Sequence, residues 1–410
     1  MGIGLSISAP RPWLVCQIGA REHYVLAREL HRRGLLRALV TDAWAPPESL
    51  GARLPGVSGR RLAERYDAGL GDANVVRFTG ALAWFELLQR LHGRDGWGLV
   101  LARNRWFEAQ AVRAMREGDL LAERPVVFAY SYAARDIFRA ARAAGCQTVL
   151  GQIDPAITEE EIVAEAVDRH PELAPHWERA PQAYWDRWRE ECELADRILV
   201  NSEWAREALV RAGVEADKLR VVPLAYRPVG TPAARAWPTH FDDARPLRLL
   251  FLGSFILRKG AAELLEAARL LRDQPVELHI VGGSDIGVPD ADRANPRLVF
   301  HGPVPRHEVH GHFAAADLFI LPTLSDGFGL TLLEAQAHGL PAIASRRCGA
   351  VVRDGVNGLI LETVTGASIA EAVGRYVRDP SLAQRHGNAA TALSDFSPGS
   401  IGDRLLSVLD

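Results

Sequence analysis

Short apolar runs alternate with segments of helical periodicity along most of the chain. The run 318–321 is continuously apolar, which is typical of a strand buried on both faces of a parallel sheet, and the run 247–252 is apolar except for Arg248. The segments between them carry good helix formers and end at glycine, as 24–33 does at Gly34. This alternation predicts an α/β protein built from repeated strand–helix–strand units.

The pattern divides into two groups of predicted elements. In the first half the predicted strands are 13–18, 36–41, 125–130, 148–153 and 198–200, with helices at 24–33, 133–144 and 177–193. In the second half the predicted strands are 247–252, 276–281, 297–300, 318–321, 342–344 and 359–361, with a predicted turn at 302–304. The predicted helices there are 261–272, 330–338, 368–377 and 380–393.

The segment 316–345 organises the chain, because a chemically specific loop joins its predicted strand and helix. Gly327 and Gly329 allow a close approach of the backbone and a positive φ, so free N–H groups at the helix start can point at an anion such as a diphosphate. Glu334 lies roughly 6 Å along the helix axis from that end, at about 1.5 Å per residue. A carboxylate at that distance can accept hydrogen bonds from the two hydroxyls of a ribose.

Two acids, Asp326 and Glu334, flank the run G-F-G-L and precede L-E-A-x-A-x-G-x-P. This arrangement resembles the donor-site signature of the retaining family 4 (group 1) glycosyltransferases, although the first acid of that family is usually Glu. The resemblance implies the GT-B fold, two Rossmann-like domains facing across a cleft. It also implies that the C-terminal domain binds a nucleotide-sugar donor and that the N-terminal domain presents the acceptor.

A second motif, G-S-F-I-L-R-K-G at 253–260, resembles the family's G-R-L-x-x-x-K-G, with Ser254 in place of the arginine. Lys259 matches the family lysine and is one of only two lysines, the other being Lys218. The resemblance assigns Lys259 and Arg258 to the leaving diphosphate; two solvent-facing cations are the alternative. The expected donor-binding residues are Gly253, Ser254, Gly283, Gly327, Phe328, Gly329, Leu330 and Glu334, and Asp326 is expected among the catalytic ones.

The N-terminal half offers weaker candidates. The turn at 19–23 has one glycine and no G-x-G-x-x-G, which argues against a nicotinamide cofactor. Since this turn faces the acceptor in GT-B enzymes, Gly19, Arg21 and His23 are acceptor-side candidates; a capping or surface histidine is the alternative for His23. Asp154, after the strand 148–153, is either a catalytic group facing the cleft or a helix cap.

A basic and aromatic stretch within 42–124 has two interpretations. Arg53, Arg60, Arg61 and Arg65 form the basic part, and Trp84, Phe85, Leu87, Leu88 and Leu91 recur with helical spacing. Such a region can contact anionic lipid or a lipid-linked acceptor. The other interpretation is a solvated helix face over an ordinary core.

Composition narrows the class of protein. With 410 residues, two domains are expected, 1–226 and 247–395, joined by a Pro-rich linker, 227–246, with a tail, 396–410, that crosses back to the first domain. A net charge of -3 gives no nucleic-acid signature, and four scattered cysteines fit free thiols in a reducing compartment. No apolar segment is long enough for a membrane span or signal peptide, so a cytoplasmic location is expected, at most peripheral to the inner membrane face.

The expected reaction is transfer of a hexose from a nucleotide-sugar to a glycan, lipid-linked or small-molecule hydroxyl, with retention at the anomeric carbon. The family is similar to a metal-free class, and His307, His310 and His312 lack zincin spacing, so no metal or cofactor is expected. Two alternatives stay open: a nucleotide-sugar epimerase on the same fold, and a non-catalytic nucleotide-sugar binder.

Overall fold

Seven parallel strands form the sheet of the N-terminal domain. The structure, a computed structural model, describes residues 11–49, 62, 64–228, 235–390 and 393–409. The strand order is β3-β2-β1-β4-β5-β6-β7, and apolar side chains fill both faces. The strands are β1 Trp13–Gln17, β2 Leu36–Thr41, β3 Val75–Arg77, β4 Val126–Tyr130, β5 Gln147–Gly151, β6 Arg197–Val200 and β7 Leu219–Val221.

Helices cover this sheet on both sides because the connections between parallel strands must cross over a face. They are α1 Val25–Arg32, α2 Thr79–Leu91, α3 Gly96–Glu117, α4 Arg135–Ala143, α5 Ala156–Arg169, α6 Gln182–Leu194 and α7 Glu203–Arg211. Ser202 accepts a hydrogen bond from the Ala205 N–H and so caps α7.

Six parallel strands form the second sheet, in the order β10-β9-β8-β11-β12-β13. They are β8 Leu247–Leu252, β9 Val276–Val281, β10 Leu298–Gly302, β11 Leu318–Leu321, β12 Ala342–Ser345 and β13 Gly358–Leu361. The accompanying helices are α8 Ala261–Leu270, α9 Asp290–Arg293, α10 Val309–Ala315, α11 Leu330–Ala337, α12 Gly366–Arg378, α13 Ser381–Asn388 and α14 Pro398–Leu406.

Both sheets reverse their strand order once, between β1 and β4 and between β8 and β11. In such sheets the crevice that binds ligands opens outside the carboxyl ends of the strands at the reversal. The loops after β1, β4 and β5 therefore line one side of a crevice, and those after β8, β9 and β11 line the other.

The sequence predictions locate the strands well and misplace several helix ends. The helix predicted from residue 24 begins at Val25, because Glu22, His23 and Tyr24 take left-handed φ angles of 51°, 49° and 57°. The helix predicted at 177–193 begins only at Gln182, and the one predicted to reach 393 ends at Asn388. The strand predicted at 297–300 runs from Leu298 to Gly302 and so includes the first residue of the predicted turn.

The two domains touch at several points. Ala166 of α5 and Leu173 beyond it pack into the core of the C-terminal domain, and the Leu173 carbonyl accepts from the Gly287 N–H at 2.9 Å. Helix α14 lies against α1, where Arg33 pairs with Asp403 at 2.8 Å. The expected boundaries at residues 226, 247 and 395 stay predictions. None of the described helices combines the length and apolarity needed to cross a membrane.

Candidate active site

The loop between β11 and α11 exposes backbone N–H groups at a helix start. Gly329 has a φ of 82°, and a Cβ there would lie 2.6 Å from Leu321 Cδ2, so only glycine fits. The N–H groups of Gly329, Leu330 and Thr331 have no acceptor among the described residues. Together with the positive end of the helix dipole, they form a site suited to an anion.

Three charged side chains meet beside this loop. The Lys259 ammonium bonds directly to Asp326 Oδ2, and Arg258 Nη1 lies 3.7 Å from the same oxygen. Burial alone would raise the pKa of Asp326, but the charges of Lys259 and Arg258 and the hydrogen bonds to the carboxylate outweigh burial and lower it. The carboxylate is therefore ionised, and its ion pair must loosen before both cations can hold a diphosphate.

Glycines bring the ends of β8 and β9 together next to Lys259. A Cβ on Gly282 would lie 2.0 Å from the Gly253 carbonyl oxygen, so neither a side chain nor another backbone conformation fits there. Ser254 follows Gly253 and is exposed, and Gly283 follows Gly282. The structure thus places Gly253, Ser254 and Gly283 on one bare backbone surface.

Glu334 lies one turn into α11 on the same side. Its side chain has no hydrogen bond or ion pair among the described residues. Burial raises the pKa of Glu334, and the nearby charge of Arg306 opposes this rise only in part. A half-buried carboxylate without a partner is suited to accept from the hydroxyls of a ligand.

Phe328 differs from the other expected donor-binding residues. Its ring is buried against Phe396, with ring centroids 5.9 Å apart, and against the backbone of Gly349. Only its N–H faces the site, and it donates to Asp326 Oδ1 at 3.3 Å. The ring of Phe328 therefore packs beneath the loop, and its role in donor binding stays a prediction.

On the opposite side, a cavity of about 270 Å³ opens at the carboxyl ends of β1, β4 and β5, with α3 as its other wall. We call it the acceptor cavity. Gln17 Oε1 and Ser131 Oγ are buried in it without a hydrogen-bond partner among the described residues. Charged, amide and hydroxyl side chains also line it: Arg21, Arg103, Asn104, Tyr130, Tyr132, Asp154 and Tyr184. Unpaired buried oxygens favour a ligand that donates hydrogen bonds, because leaving them unpaired is unfavourable.

Asp154 both contacts the start of α5 and lines the acceptor cavity, and a catalytic role for it stays a prediction. Its Oδ1 accepts from the Ala156 N–H at 3.0 Å, as an acid at a helix start does. The same oxygen accepts from the Tyr132 hydroxyl at 2.5 Å and from Gln152 Nε2 at 3.0 Å, and the side chain lines the acceptor cavity. Trp188 Nε1 donates to Gln152 Oε1, which fixes the orientation of that amide.

The turn after β1 is held by a buried acid. Gly19, with a φ of 79°, donates its N–H to Asp42 Oδ1 at 2.8 Å. Arg21 lies over the Tyr130 ring, 5.6 Å from its centroid. His23 is exposed and contacts Arg306 of the other domain at 3.1 Å between Nε2 and Nη1, while Tyr24 occupies the N-cap position of α1. Burial first and then the charge of Arg306 lower the pKa of His23.

The two sides meet at Glu159 of α5. Its Oε2 accepts from the Ser325 hydroxyl at 2.9 Å, and its Oε1 lies 3.6 Å from Arg258 Nε. Burial raises the pKa of Glu159 to about 8 despite the charge of Arg258. Trp204 Nε1 donates to Ser325 Oγ at 3.1 Å, and a Cβ on Gly327 would lie 2.5 Å from the Ile153 carbonyl oxygen.

Several polar residues of this crevice were not among the predicted site residues. Gln17, Asp42 and Ser131 each stand at or just after the end of a strand, a position that could have pointed to them. Arg103, which donates to Asp42 Oδ2 at 2.9 Å, and Glu159 lie within helices and carry no such signal. Of the predicted basic cluster, Arg65 pairs with Asp42, while Arg53, Arg60 and Arg61 lie outside the described residues.

The histidines near α10 pair with one another. His310 contacts His338 at 2.7 Å, and the ring of His312 lies against that of His301. His307 lies beside Glu308, 3.7 Å away. Within the described ranges, no group of three His, Cys, Asp or Glu side chains is arranged to hold a metal ion.

Known proteins match the C-terminal half of this chain in sequence. The family model for glycosyl transferases group 1 matches residues 246–379. The D-inositol 3-phosphate glycosyltransferase of Streptomyces griseus subsp. griseus is 33% identical over 227 residues, which cover 49% of this chain and 48% of that protein. The protein of the same name from Nocardia farcinica is 34% identical over 220 residues. The match spans about half the length of these relatives.

Two solved structures resemble the whole chain. Sucrose-phosphate synthase from Thermosynechococcus elongatus has a TM-score of 0.66 at 17% identity and covers 97% of this chain and 98% of its own. Anabaena HepE in complex with UDP and glucose has a TM-score of 0.63 at 16% identity and covers 97% of this chain and 99% of its own. At such identities the likeness concerns the fold, and the predicted GT-B fold is confirmed.

Proposed function

We propose that this chain, whose C-terminal domain is a group 1 glycosyltransferase domain, transfers a hexose from a nucleotide-sugar donor to a hydroxyl of an acceptor. The observation that carries the proposal is the meeting of Lys259, Arg258 and the free N–H groups of α11 at one point. The relatives that match over about half of their length are named glycosyltransferases, and HepE binds UDP and glucose. Both observations support this reaction class.

We assign the departing diphosphate to the α11 start and the ribose to Glu334. When the bond between the anomeric carbon and the phosphate oxygen breaks, negative charge grows on that oxygen. Lys259 and Arg258 stabilise it, and preorganised charge of this kind is worth several kcal/mol, about 3–4 per group in favourable cases. In this proposal protein cations and the helix dipole supply the positive charge, and no metal or other cofactor is needed.

We further propose that transfer proceeds with retention. The acceptor oxygen bonds to the anomeric carbon on the face from which the phosphate leaves, and the acceptor proton passes to the departing phosphate oxygen. Asp154, hydrogen-bonded to Tyr132 at the edge of the acceptor cavity, orients the acceptor in this scheme. The 270 Å³ volume and the unpaired oxygens of Gln17 and Ser131 suit one polyhydroxylated ring, which a glycan, a lipid-linked sugar or a small polyol can supply.

The test is a donor screen. Purified protein is incubated with UDP-, GDP- and ADP-hexoses with and without sugar and polyol acceptors, and released nucleotide is measured. We expect acceptor-dependent release with one donor, and NMR of the product should show the donor's anomeric configuration. Conversion of the donor without acceptor would identify an epimerase, and calorimetric binding of a donor with no turnover would identify a binder. A product with the inverted anomeric configuration would refute retention but leave the proposed glycosyl transfer intact.

A peripheral membrane contact is the proposed way to reach a lipid-linked acceptor. Helix α2 buries Leu82 and Phe85 and exposes Trp84, Leu87 and Leu91, with exposed fractions of 62%, 46% and 73%. Exposed Arg90 and Arg94 flank this face. An apolar helix face beside basic side chains favours anionic membrane surfaces, here the inner membrane of a cytoplasmic enzyme.

Vesicle sedimentation tests the membrane contact. We expect the protein to pellet with vesicles that contain anionic lipid and to remain in the supernatant with neutral ones. The Trp84→Ser, Leu91→Ser double variant should lose the anionic binding while keeping donor turnover on a soluble acceptor. Equal sedimentation of variant and wild type would show that α2 does not face the lipid.

A further inference from the structure

A second, larger cavity of about 450 Å³ lies beside the acceptor cavity and has walls from both domains. We call it the aromatic cavity. Helices α5 and α6 and the segment 174–178 form one wall, and the loops after β8 and β9 form the other. It shares Tyr132, Asp154 and Tyr184 with the acceptor cavity, so one ligand can extend from one cavity into the other. Its volume lies in the range of small-molecule sites, and neither the donor site nor the acceptor cavity uses it.

Five aromatic side chains line this cavity: Trp97, Tyr132, Trp177, Tyr184 and Trp185. Tyr184 stacks on Tyr132 with centroids 4.6 Å apart and meets Trp97 at 5.0 Å, so these rings have fixed orientations. Trp185 Nε1 donates to Glu160 Oε2 at 3.0 Å. Arg179 already places a guanidinium 6.0 Å from the centroid of Trp177, which shows that this ring accepts a cation.

The charged lining is strongly acidic. Five carboxylates, those of Asp154, Glu159, Glu160, Glu178 and Asp285, face one arginine, Arg258, and one imidazole, that of His176. That arginine is already engaged with Glu159 and Asp326. Glu178 from the N-terminal domain and Asp285 from the C-terminal domain have no ion-pair partner among the described residues. Even with Glu159 protonated, acids outnumber the arginine, so the cavity repels anions and attracts cations.

We propose that the aromatic cavity binds a sugar unit that carries a protonated amine. Aromatic faces take the C–H face of a sugar ring and the ammonium group, and Glu178 and Asp285 supply the countercharge. The further statement that this unit is part of the acceptor rests on the proposed function. The binding itself does not depend on it, because no donor is required.

Tryptophan fluorescence and calorimetry without donor test the binding, because Trp97, Trp177 and Trp185 report on the cavity. Three disaccharides with one β-1,4 scaffold serve as probes: the glucosamine dimer, its di-N-acetyl form and cellobiose. In mildly acidic buffer we expect the glucosamine dimer to bind about tenfold more tightly than the other two, because the carboxylates of Glu178 and Asp285 attract its ammonium group. Equal or tighter binding of cellobiose would overturn the proposal.

Variants locate the binding. The Glu178→Gln, Asp285→Asn double variant keeps the shape of two exposed side chains and should reduce the preference for the amine to about twofold or less. Trp177→Ala should weaken all three probes, whereas Trp84→Ala, a distant exposed tryptophan, should change none. An amine preference that survives the double variant would place the site elsewhere. Amine binding without glycosyl transfer in the donor screen would contradict only the proposed function.

Discussion

The charged cluster of the donor side, formed by Lys259, Arg258 and Asp326, and the acceptor cavity treat their polar groups in opposite ways. On the donor side Lys259, Arg258 and Asp326 satisfy one another. On the acceptor side Gln17 Oε1 and Ser131 Oγ are buried and unpaired among the described residues. A ligand on the donor side must therefore replace existing ion pairs, and its binding depends on charge. A ligand on the acceptor side can donate hydrogen bonds to oxygens that are unpaired among the described residues. Its binding therefore depends on hydroxyl groups.

Removing the donor-side lysine should have the largest effect. We expect Lys259→Ala to lower kcat by about 10²–10³-fold, because a preorganised charge at the leaving group is lost. Asp326 keeps Arg258 as a partner, so the fold should persist. Turnover measured at saturating donor and acceptor, with circular dichroism as a check of folding, decides the outcome.

Lys218 provides the matched control, since it is the only other lysine in the sequence. Its ammonium donates to the Cys192 and Glu193 carbonyls at the end of α6, away from the crevice. Lys218→Ala should therefore leave kcat unchanged. An equal loss in both variants, or none in Lys259→Ala, would contradict the charge-based account of the donor side.

Glu159, which lies where the two sides of the crevice meet, should make the free energy of unfolding depend on pH. The pKa of Glu159 is raised from 4.5 to about 8, so the folded state holds a proton that the unfolded state releases across that range. The free energy of unfolding consequently falls as pH rises from about 5 to 8. Glu159→Gln should flatten this slope by up to about 1.4 kcal/mol per pH unit, measured by urea unfolding. Glu161→Gln, which changes an exposed carboxylate on the same helix, should keep the wild-type slope. Identical slopes in the wild type and both variants would refute the prediction.

A substitution of Glu334 tests how much hydrogen bonds to the ribose hydroxyls contribute to donor binding. Glu334→Gln should raise the Kd of the selected nucleoside diphosphate about tenfold, because a hydrogen bond to a charged acceptor is replaced by a weaker neutral one. Calorimetry with the matching 2′-deoxynucleotide sharpens the assignment. The deoxy compound should lose much less affinity from the substitution, and an equal loss for both nucleotides would show that Glu334 does not hold the ribose.

The same contrast explains what the sequence could predict. The donor loop, from Asp326 to Glu334, is contiguous, so spacing and glycines alone indicate its chemistry. The acceptor cavity is assembled from Gln17, Arg103, Ser131 and Asp154, which become neighbours only through the strand order β1-β4-β5 and the long helix α3. No local spacing brings them together.

Backbone conformation set a second limit. Glu22, His23 and Tyr24 all have φ angles near 50°, a conformation that ordinary side chains disfavour. Propensity therefore predicts a helix from residue 24, whereas the structure has three left-handed residues before the helix. His23 contacts Arg306 of the other domain from this turn. By contrast, the strands 36–41, 247–252, 276–281 and 318–321 were predicted to the residue, because short runs dominated by apolar residues mark strands of a parallel sheet without a competing helical pattern.

Ser131→Ala should produce the smallest change and the one most specific to the acceptor side. Its hydroxyl is buried and unpaired among the described residues, so its removal should leave the stability unchanged or slightly raised. The acceptor KM should rise about three- to tenfold, the value of roughly one hydrogen bond, while donor affinity stays constant. Ser202→Ala is the matched control: it removes the cap of α7, and should lower the free energy of unfolding by about 1 kcal/mol without changing the acceptor KM. If Ser131→Ala instead destabilised the protein and left KM unchanged, its hydroxyl would be structural, and the contrast between the paired charges of the donor-side cluster and the unpaired oxygens of the acceptor cavity would fail.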